Sequence, residues 1–372
     1  MKVLHFYKTF FGETRGGVEK VIDQISLSTA ALGVNSKVLC LTPAKKESLT
    51  EMNGYKVHCV PQLFEVASTP FSISVFHRFR ELARQADIIH YHFPYPFADI
   101  LHFASRIEKP TILTYHSDII KQKVLLKLYR PLKRLFLQDI GHIVATSPNY
   151  LETSEALGIF KEKTSVIPIG LDKNAYPSPP NDNLDYWRQR FGKKFFLFVG
   201  VFRYYKGLHI LIEAASTLDC QIVIVGAGPI EKELKEQVVK LGINNIHFIG
   251  PLPEEDKIAL LQLCYAVVFP SHLRSEAFGV SLLEGAMFGK PMISCEIGTG
   301  TTYININKET GIVVPPADPL ALRFALQFLL DRIDIALEMG VQAEKRYWTH
   351  FTAEKMAKSY LGVYKDLLTK RP

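Results

Sequence analysis

The stretch KFFLFVGVFRYYKGLHILIEAASTLDCQIVIVGAG, residues 194–228, decides the fold. Its ends, "KFFLFVG" (194–200) and "CQIVIVGAG" (220–228), are short, almost continuous apolar runs. That is the pattern of strands covered on both faces of a parallel sheet. The residues between them, "VGVFRYYKGLHILIEAAS" (199–216), leave the first strand through a loop and open a helix. Strand, helix, strand is one right-handed crossover unit, and its repetition defines an α/β domain.

The unit repeats in both directions. Downstream, "NIHFIG" (245–250), "AVVFPS" (266–271), "PMISCE" (291–296) and "TGIVVP" (310–315) read as strands separated by helix-length segments. Upstream, "KVLHFY" (2–7), "SKVLCLT" (36–42), "DIIHYH" (87–92), "PTILTYH" (110–116) and "HIVATS" (142–147) form a first set, with "GVEKVIDQISLSTAALG" (17–33) a helix closed by Gly33. The polar, Pro-rich "AYPSPPNDNLDYW" (175–187) is the best linker. The reading is therefore two doubly wound parallel-sheet domains, 1–178 and 179–350, whose strand C-termini face a central cleft. "FTAEKMAKSYLGVYKDLL" (351–368) has a helical apolar period, and the terminal segment 351–372 is expected to pack back on the first domain.

Composition narrows the class. At 372 residues the chain exceeds one ordinary core, and its 47% hydrophobic and 22% charged residues suit a globular protein rather than a disordered one. Cys40, Cys59, Cys220, Cys264 and Cys295 show no CxxC spacing, which argues against a disulfide framework or zinc site and for a reducing compartment. No apolar run approaches ~18 residues, and "MKVLHFYKTFF" has no signal-peptide pattern, so a cytoplasmic, non-integral protein is expected. The net charge of +7 is unevenly spread: between Asp118 and Asp139 every charged residue is basic. In this stretch, 121–138, Leu128, Leu132, Leu135 and Phe136 recur at helical spacing, although Pro131 should break or restart the helix. Its basic face suits an anionic membrane surface on the inner side of the cytoplasmic membrane; a core-facing amphipathic helix is the plainer alternative.

Candidate binding residues fall after the strands. Arg203 and Lys206 lie in the loop after 194–200, where an anion would meet two cations and the amides of a helix start, although loop cations are equally at home in solvent. Gly16 and Gly17 directly precede a helix, so backbone can approach a phosphate there. Gly226 and Gly228 resemble half of a dinucleotide fingerprint, but the third glycine and the distal acid are missing. His116, in "TYHSDI" (114–119), could hydrogen-bond a substrate hydroxyl or act as a base. His90, His92 and Asp99 invite a metal, yet their spacing matches no zinc motif, and no metal site is expected. Finally, "SEAFGVSLLEGAMFGKP" (275–291) places Glu276 in a loop before a helix and Glu284 about one turn inside it. Two such acids could be an acid/base pair, a metal site or two contacts to one extended ligand, and their separation suits the last.

These residues together resemble the retaining glycosyltransferases of GT-B architecture, and more narrowly family 4, which includes many bacterial mannosyl- and glucosyltransferases of cell-surface polysaccharide assembly. The E-x7-E pair Glu276/Glu284 carries the resemblance, supported in order by "RGGVE", "TYHSD", "VIPIGLD" (166–172), "FRYYKGL" and "VGAGP" across essentially the whole chain. The resemblance implies that Arg203 and Lys206 hold the donor pyrophosphate and stabilise the departing nucleoside diphosphate. It puts Glu276 on hydroxyls of the transferred sugar, the N–H groups of Phe278, Gly279 and Val280 at the phosphates or sugar, and Glu284 on the ribose. Leu252 and Lys257 would line the base pocket, Gly16 and Gly17 would close over the pyrophosphate, and His116 would touch the donor sugar. Where many members carry arginine directly after the strand-ending glycine, this chain has Val201. The implied reaction moves a mannosyl group from GDP-mannose, with α linkage, to a lipid-linked saccharide of O-antigen or another surface polysaccharide, with no obligatory metal and no nucleic-acid partner. A UDP-sugar donor (glucosyl, galactosyl or N-acetylglucosaminyl), a sugar-nucleotide epimerase and a non-catalytic binding protein are the competing readings.

Overall fold

A computed structural model describes residues 1–10, 16–119, 123–192 and 194–369, with backbone alone at 123–125. The chain forms two compact units, Met1–Gly170 with Ala353–Pro372, and Leu171–Thr352. The chain thus passes from one unit to the other upstream of the predicted 178/179 boundary. The reason is local: Leu171 N–H donates to Phe351 O (2.9 Å) and pairs with Thr352, tying the entry and exit of the second unit together. The stretch read as a linker has an ordered second half, the helix Asn181–Phe191. Trp187 and Phe191 are buried, and Trp187 Nε1–H donates to Asp256 Oδ1 at 2.7 Å. Apolar anchoring outweighs the polar composition there.

The first unit contains strands β1 (Lys2–Phe6), β2 (Asn35–Thr42), β3 (Ser48–Met52), β4 (Tyr55–Pro61), a separate hairpin β5 (Phe64–Val66) with β6 (Thr69–Phe71), then β7 (Ile88–Phe93), β8 (Thr111–Tyr115), β9 (His142–Ala145) and β10 (Thr164–Val166). The sheet order is β10-β9-β8-β7-β1-β2-β4-β3, parallel throughout except for β3 against β4. Its central strands β7 and β8 are buried at every position, as expected for a sheet covered on both faces. The helix Ala353–Thr369 packs on the helix Gly17–Ala30. Its Tyr360 and Tyr364 hydroxyls lie 2.9 Å from Thr114 Oγ1 and 2.8 Å from His90 Nδ1. The expected break at Pro131 does not occur: the helix Lys123–Asp139 runs through it. Contacts anchor it on both sides, with Tyr129 O–H donating to Asp99 Oδ2 (2.5 Å) before the proline and Phe136 and Leu137 buried after it.

The second unit contains β11 (Phe195–Val199), β12 (Gln221–Val225), β13 (Ile246–Gly250), β14 (Ala266–Phe269), β15 (Met292–Cys295) and β16 (Gly311–Val314). The order β13-β12-β11-β14-β15-β16, parallel throughout, is the doubly wound arrangement. Phe196, Phe198, Ile222, Ile224, Val268 and Ile293 meet Leu211 and Leu326 from the flanking helices in its core. Winding reverses between β11 and β14, so the two loops leaving their C-terminal ends lie side by side. In such sheets ligands bind at that switch point.

Candidate active site

The loop after β11 ends in a single turn, Tyr204–Lys206, followed by Gly207 at φ +70°. A β-carbon on Gly207 would stand 2.1 Å from the Pro270 carbonyl oxygen, so only glycine lets this loop lie against the end of β14. His272 N–H then donates to Tyr205 O at 3.0 Å and pins the two loops. The result is an ion pair between Lys206 and Glu276, both largely buried. Ser271 O–H donates to Glu276 Oε2 (3.2 Å), and the Lys206 ammonium sits 4.7 Å from the centre of the Phe269 ring. Gly279, at φ +98°, turns the chain into the helix Val280–Met287. The amides of Phe278, Gly279 and Val280 stand at its start, where helical geometry leaves N–H groups without intrahelical acceptors.

Glu284 is buried inside that helix with a cation of its own. Lys257 Nζ donates to Glu284 Oε1 (3.1 Å) and Glu254 Oε1 (2.6 Å), and Tyr176 O–H donates to Glu284 Oε1 at 2.9 Å. Burial alone would lower the Lys257 pKa, but the charges and hydrogen bonds of Glu284 and Glu254 raise it overall. Burial and then the Glu284 charge raise the Tyr176 phenol, which therefore stays a donor. Leu252 is half-buried in the turn before the helix that carries Lys257. The two acids thus have separate counter-cations, which suits two contact points along one polar ligand and not a shared proton. Arg203 is exposed in the Lys206 loop and has no ion-pair partner among the described residues. Tyr176 and Ser271 escaped the sequence reading because only the folded chain brings them to the acids.

In the first unit, Gly16 caps and Gly17 opens the first helix, and the Glu19 carboxylate folds back beside Gly16 while accepting from Thr9 O–H (2.7 Å). Arg15 of the "RGGVE" motif lies outside the described residues. Asp118 accepts from the hydroxyls of Tyr115 (2.8 Å), Tyr150 (3.0 Å) and Ser154 (2.9 Å), which stiffens the turn following His116. His116 itself is buried, its Nε2 3.0 Å from His92 Nδ1. Burial lowers the His116 pKa to about 3, so its ring is neutral. Asp99 is not grouped with His90 and His92; His5 is their neighbour instead.

Two doubly wound units, the second with a lysine–glutamate pair at its switch point, are the architecture that the resemblance to GT-B glycosyltransferases implied. Sucrose-phosphate synthase of Thermosynechococcus elongatus superposes with a TM-score of 0.81 at 20% identity over all of both chains. Anabaena HepE, solved with UDP and glucose, gives 0.78 at 18% identity over 98% of this chain and 100% of its own. The model of glycosyl transferases group 1 matches residues 186–346, and that of glycosyltransferase family 4 matches residues 15–175. The chain is 56% identical to the D-rhamnosyltransferase WbpZ of Pseudomonas aeruginosa over 353 residues, which cover 95% of this chain and 93% of the relative. It is 46% identical to the O-antigen chain mannosyltransferase C of Escherichia coli over 371 residues, all of both chains. The chain belongs to glycosyltransferase family 4 and is a hexosyltransferase.

Proposed function

We propose that this enzyme moves a mannosyl group from GDP-mannose, with retention and hence an α linkage, to a lipid-linked saccharide of O-antigen assembly. The observation that carries the reading is the Lys206–Glu276 pair beside the start of the Val280–Met287 helix. A lysine and free amides there oppose the charge of a departing diphosphate, while Glu276 accepts from sugar hydroxyls. The bond from the sugar C1 to the phosphate oxygen breaks, and the acceptor oxygen bonds C1 on the same face. The acceptor proton passes to the departing phosphate. Arg203 assists Lys206, Glu284 holds the ribose, and Leu252 and Lys257 face the base. Gly16 and Gly17 approach the pyrophosphate with backbone, and His116 meets the sugar.

Lys206, Arg203 and the helix amides supply the positive charge this chemistry needs, so turnover should persist in EDTA. The relatives support a sugar of the manno configuration. D-rhamnose is 6-deoxymannose, so a mannosyl- and a D-rhamnosyltransferase handle the same ring configuration and differ at one hydroxyl. The 56% identity to the D-rhamnosyltransferase therefore supports transfer of D-rhamnose as the second reading. Incubation with GDP-mannose, GDP-D-rhamnose and UDP-glucose over one lipid-linked acceptor, read by product mass, decides among them. Transfer from the UDP sugar alone would sink both.

The same reading places the enzyme on the cytoplasmic membrane face, where such acceptors reside. The helix Lys123–Asp139 exposes Lys127, Arg130 and Arg134 together with Leu128 and Leu135, the mixture that suits an anionic bilayer surface. No helix among the described residues is long and apolar enough to cross a membrane.

A further inference from the structure

Four histidines share one face of the first sheet. His5 on β1 is in register with His90 on β7, His92 follows two residues on, and His116 comes directly after β8, two residues beyond Thr114, the register partner of His92. Side chains two apart point to the same face, which brings the rings together. His5 Nδ1 lies 3.1 Å from His92 Nε2, and His92 Nδ1 lies 3.0 Å from His116 Nε2. His90 stacks on His92 with centroids 4.4 Å apart, but its own nitrogens are engaged by Tyr364 (2.8 Å) and Thr114 (2.7 Å). His5, His90 and His92 each offer a nitrogen within 4.8 Å of the others, yet a cation there would have to displace these bonds.

The chain His5–His92–His116 is therefore a line of neutral rings. Burial lowers His5 and His116 to about 3 and His92 well below its ordinary value, with the neighbouring histidines adding to the last. Each N···N bond holds one proton, so only two arrangements exist. If His116 donates inward, every ring donates toward His5, and His5 must carry its proton on Nε2. That atom is buried and has no hydrogen-bond partner among the described residues. A buried N–H without an acceptor is costly and rare. If His5 donates outward from Nδ1, no orphan N–H remains. His92 then donates from Nδ1, His116 accepts at Nε2, and the His116 proton stands on Nδ1, which unlike His5 Nε2 is not among the buried atoms left without a partner.

We infer that His5 and His92 are positioning residues that fix His116 as its Nδ1–H tautomer, so that it meets the transferred sugar as a hydrogen-bond donor and not as a general base. The sugar contact rests on the proposed function; the tautomer does not. The experiment is a long-range 1H–15N correlation of the imidazole rings in the full chain labelled with 15N-histidine, with His116 assigned by His116→Gln. The expected His116 pattern is protonated Nδ1 and bare Nε2. His92→Phe, which removes both nitrogens, should release this preference and lower kcat about tenfold, the scale of one hydrogen bond, with the donor KM little changed. His92→Asn, whose amide can stand in for the Nδ1–H, should restore most of the loss. A protonated Nε2 or an imidazolium at His116 in the unaltered chain overturns the relay, as does His92→Phe leaving both pattern and kcat unchanged. If His92→Phe does not fold, the unaltered chain's spectrum still decides. Near-normal kcat/KM in His116→Phe would instead overturn the sugar contact alone, leaving the tautomer result standing.

Discussion

The Lys206 ammonium is ion-paired with the Glu276 carboxylate, although seventy residues separate them, because the loops after β11 and β14 leave the sheet as neighbours. Neither group is free to act alone. Glu276→Ala should lower kcat by ~100-fold or more, the scale of losing one preorganised transition-state contact. GDP affinity, measured by calorimetry, should stay within about threefold, because less than 1 kcal/mol of ground-state binding is then at stake. Near-normal turnover would refute the sugar-contact role. Lys206→Ala should reduce both kcat and nucleotide affinity.

Glu284 has a different task and should fail differently. Glu284→Ala is expected to raise the donor KM more than it lowers kcat. Tyr176→Phe removes one donor to Glu284 Oε1, a bond of 2.9 Å, while Lys257 remains. Its donor KM should rise by about fivefold, near 1 kcal/mol. A KM unchanged in both variants would separate this cluster from the donor.

Gly207→Ala tests the packing that holds the Lys206 loop. The added methyl meets the Pro270 carbonyl at 2.1 Å with the backbone at φ +70°. Steric displacement and a left-handed alanine together should cost roughly 2–4 kcal/mol in urea unfolding. Full stability would show that the loop relaxes freely.

The buried histidines give the first unit an acid-sensitive core. An unfolded histidine titrates near 6.5, whereas His5 and His116 are held near 3 by burial. Above the unfolded value both states are neutral and the contribution is complete. As pH falls from 6.5 toward 3, only the unfolded chain gains protons, and stability is lost. Each such histidine then contributes a slope of up to ~1.4 kcal/mol per pH unit. Urea midpoints at pH 7 and pH 5 should show the fall, and His5→Gln should reduce it. A flat profile would mean that water reaches the rings.

Membrane contact is a separate test. Replacing Lys127, Arg130 and Arg134 with glutamate should abolish flotation with vesicles rich in anionic lipid, at ~1 kcal/mol per lost cation, and leave kcat on a soluble acceptor intact. Unchanged flotation would remove this helix from the interface.

How much of this was legible in the chain itself follows from the range of the forces involved. Continuous apolar runs such as 194–200 and 266–271 mark their strands to within about two residues, since burial on both faces demands that pattern wherever it occurs. Glycines before helices and the two acids of 276–284 were equally plain, because their roles are set by neighbours in sequence. The antiparallel excursion at β3 was not, since "SLTEM" is exposed and carries no burial pattern. Nor could composition show that Trp187 and Phe191 would turn a polar stretch into a helix. Tertiary structure alone decided which cation met which carboxylate, that Tyr176 serves Glu284, and that His5, His92 and His116 touch. Those pairings depend on strand order, and strand order is settled by the packing of the whole unit.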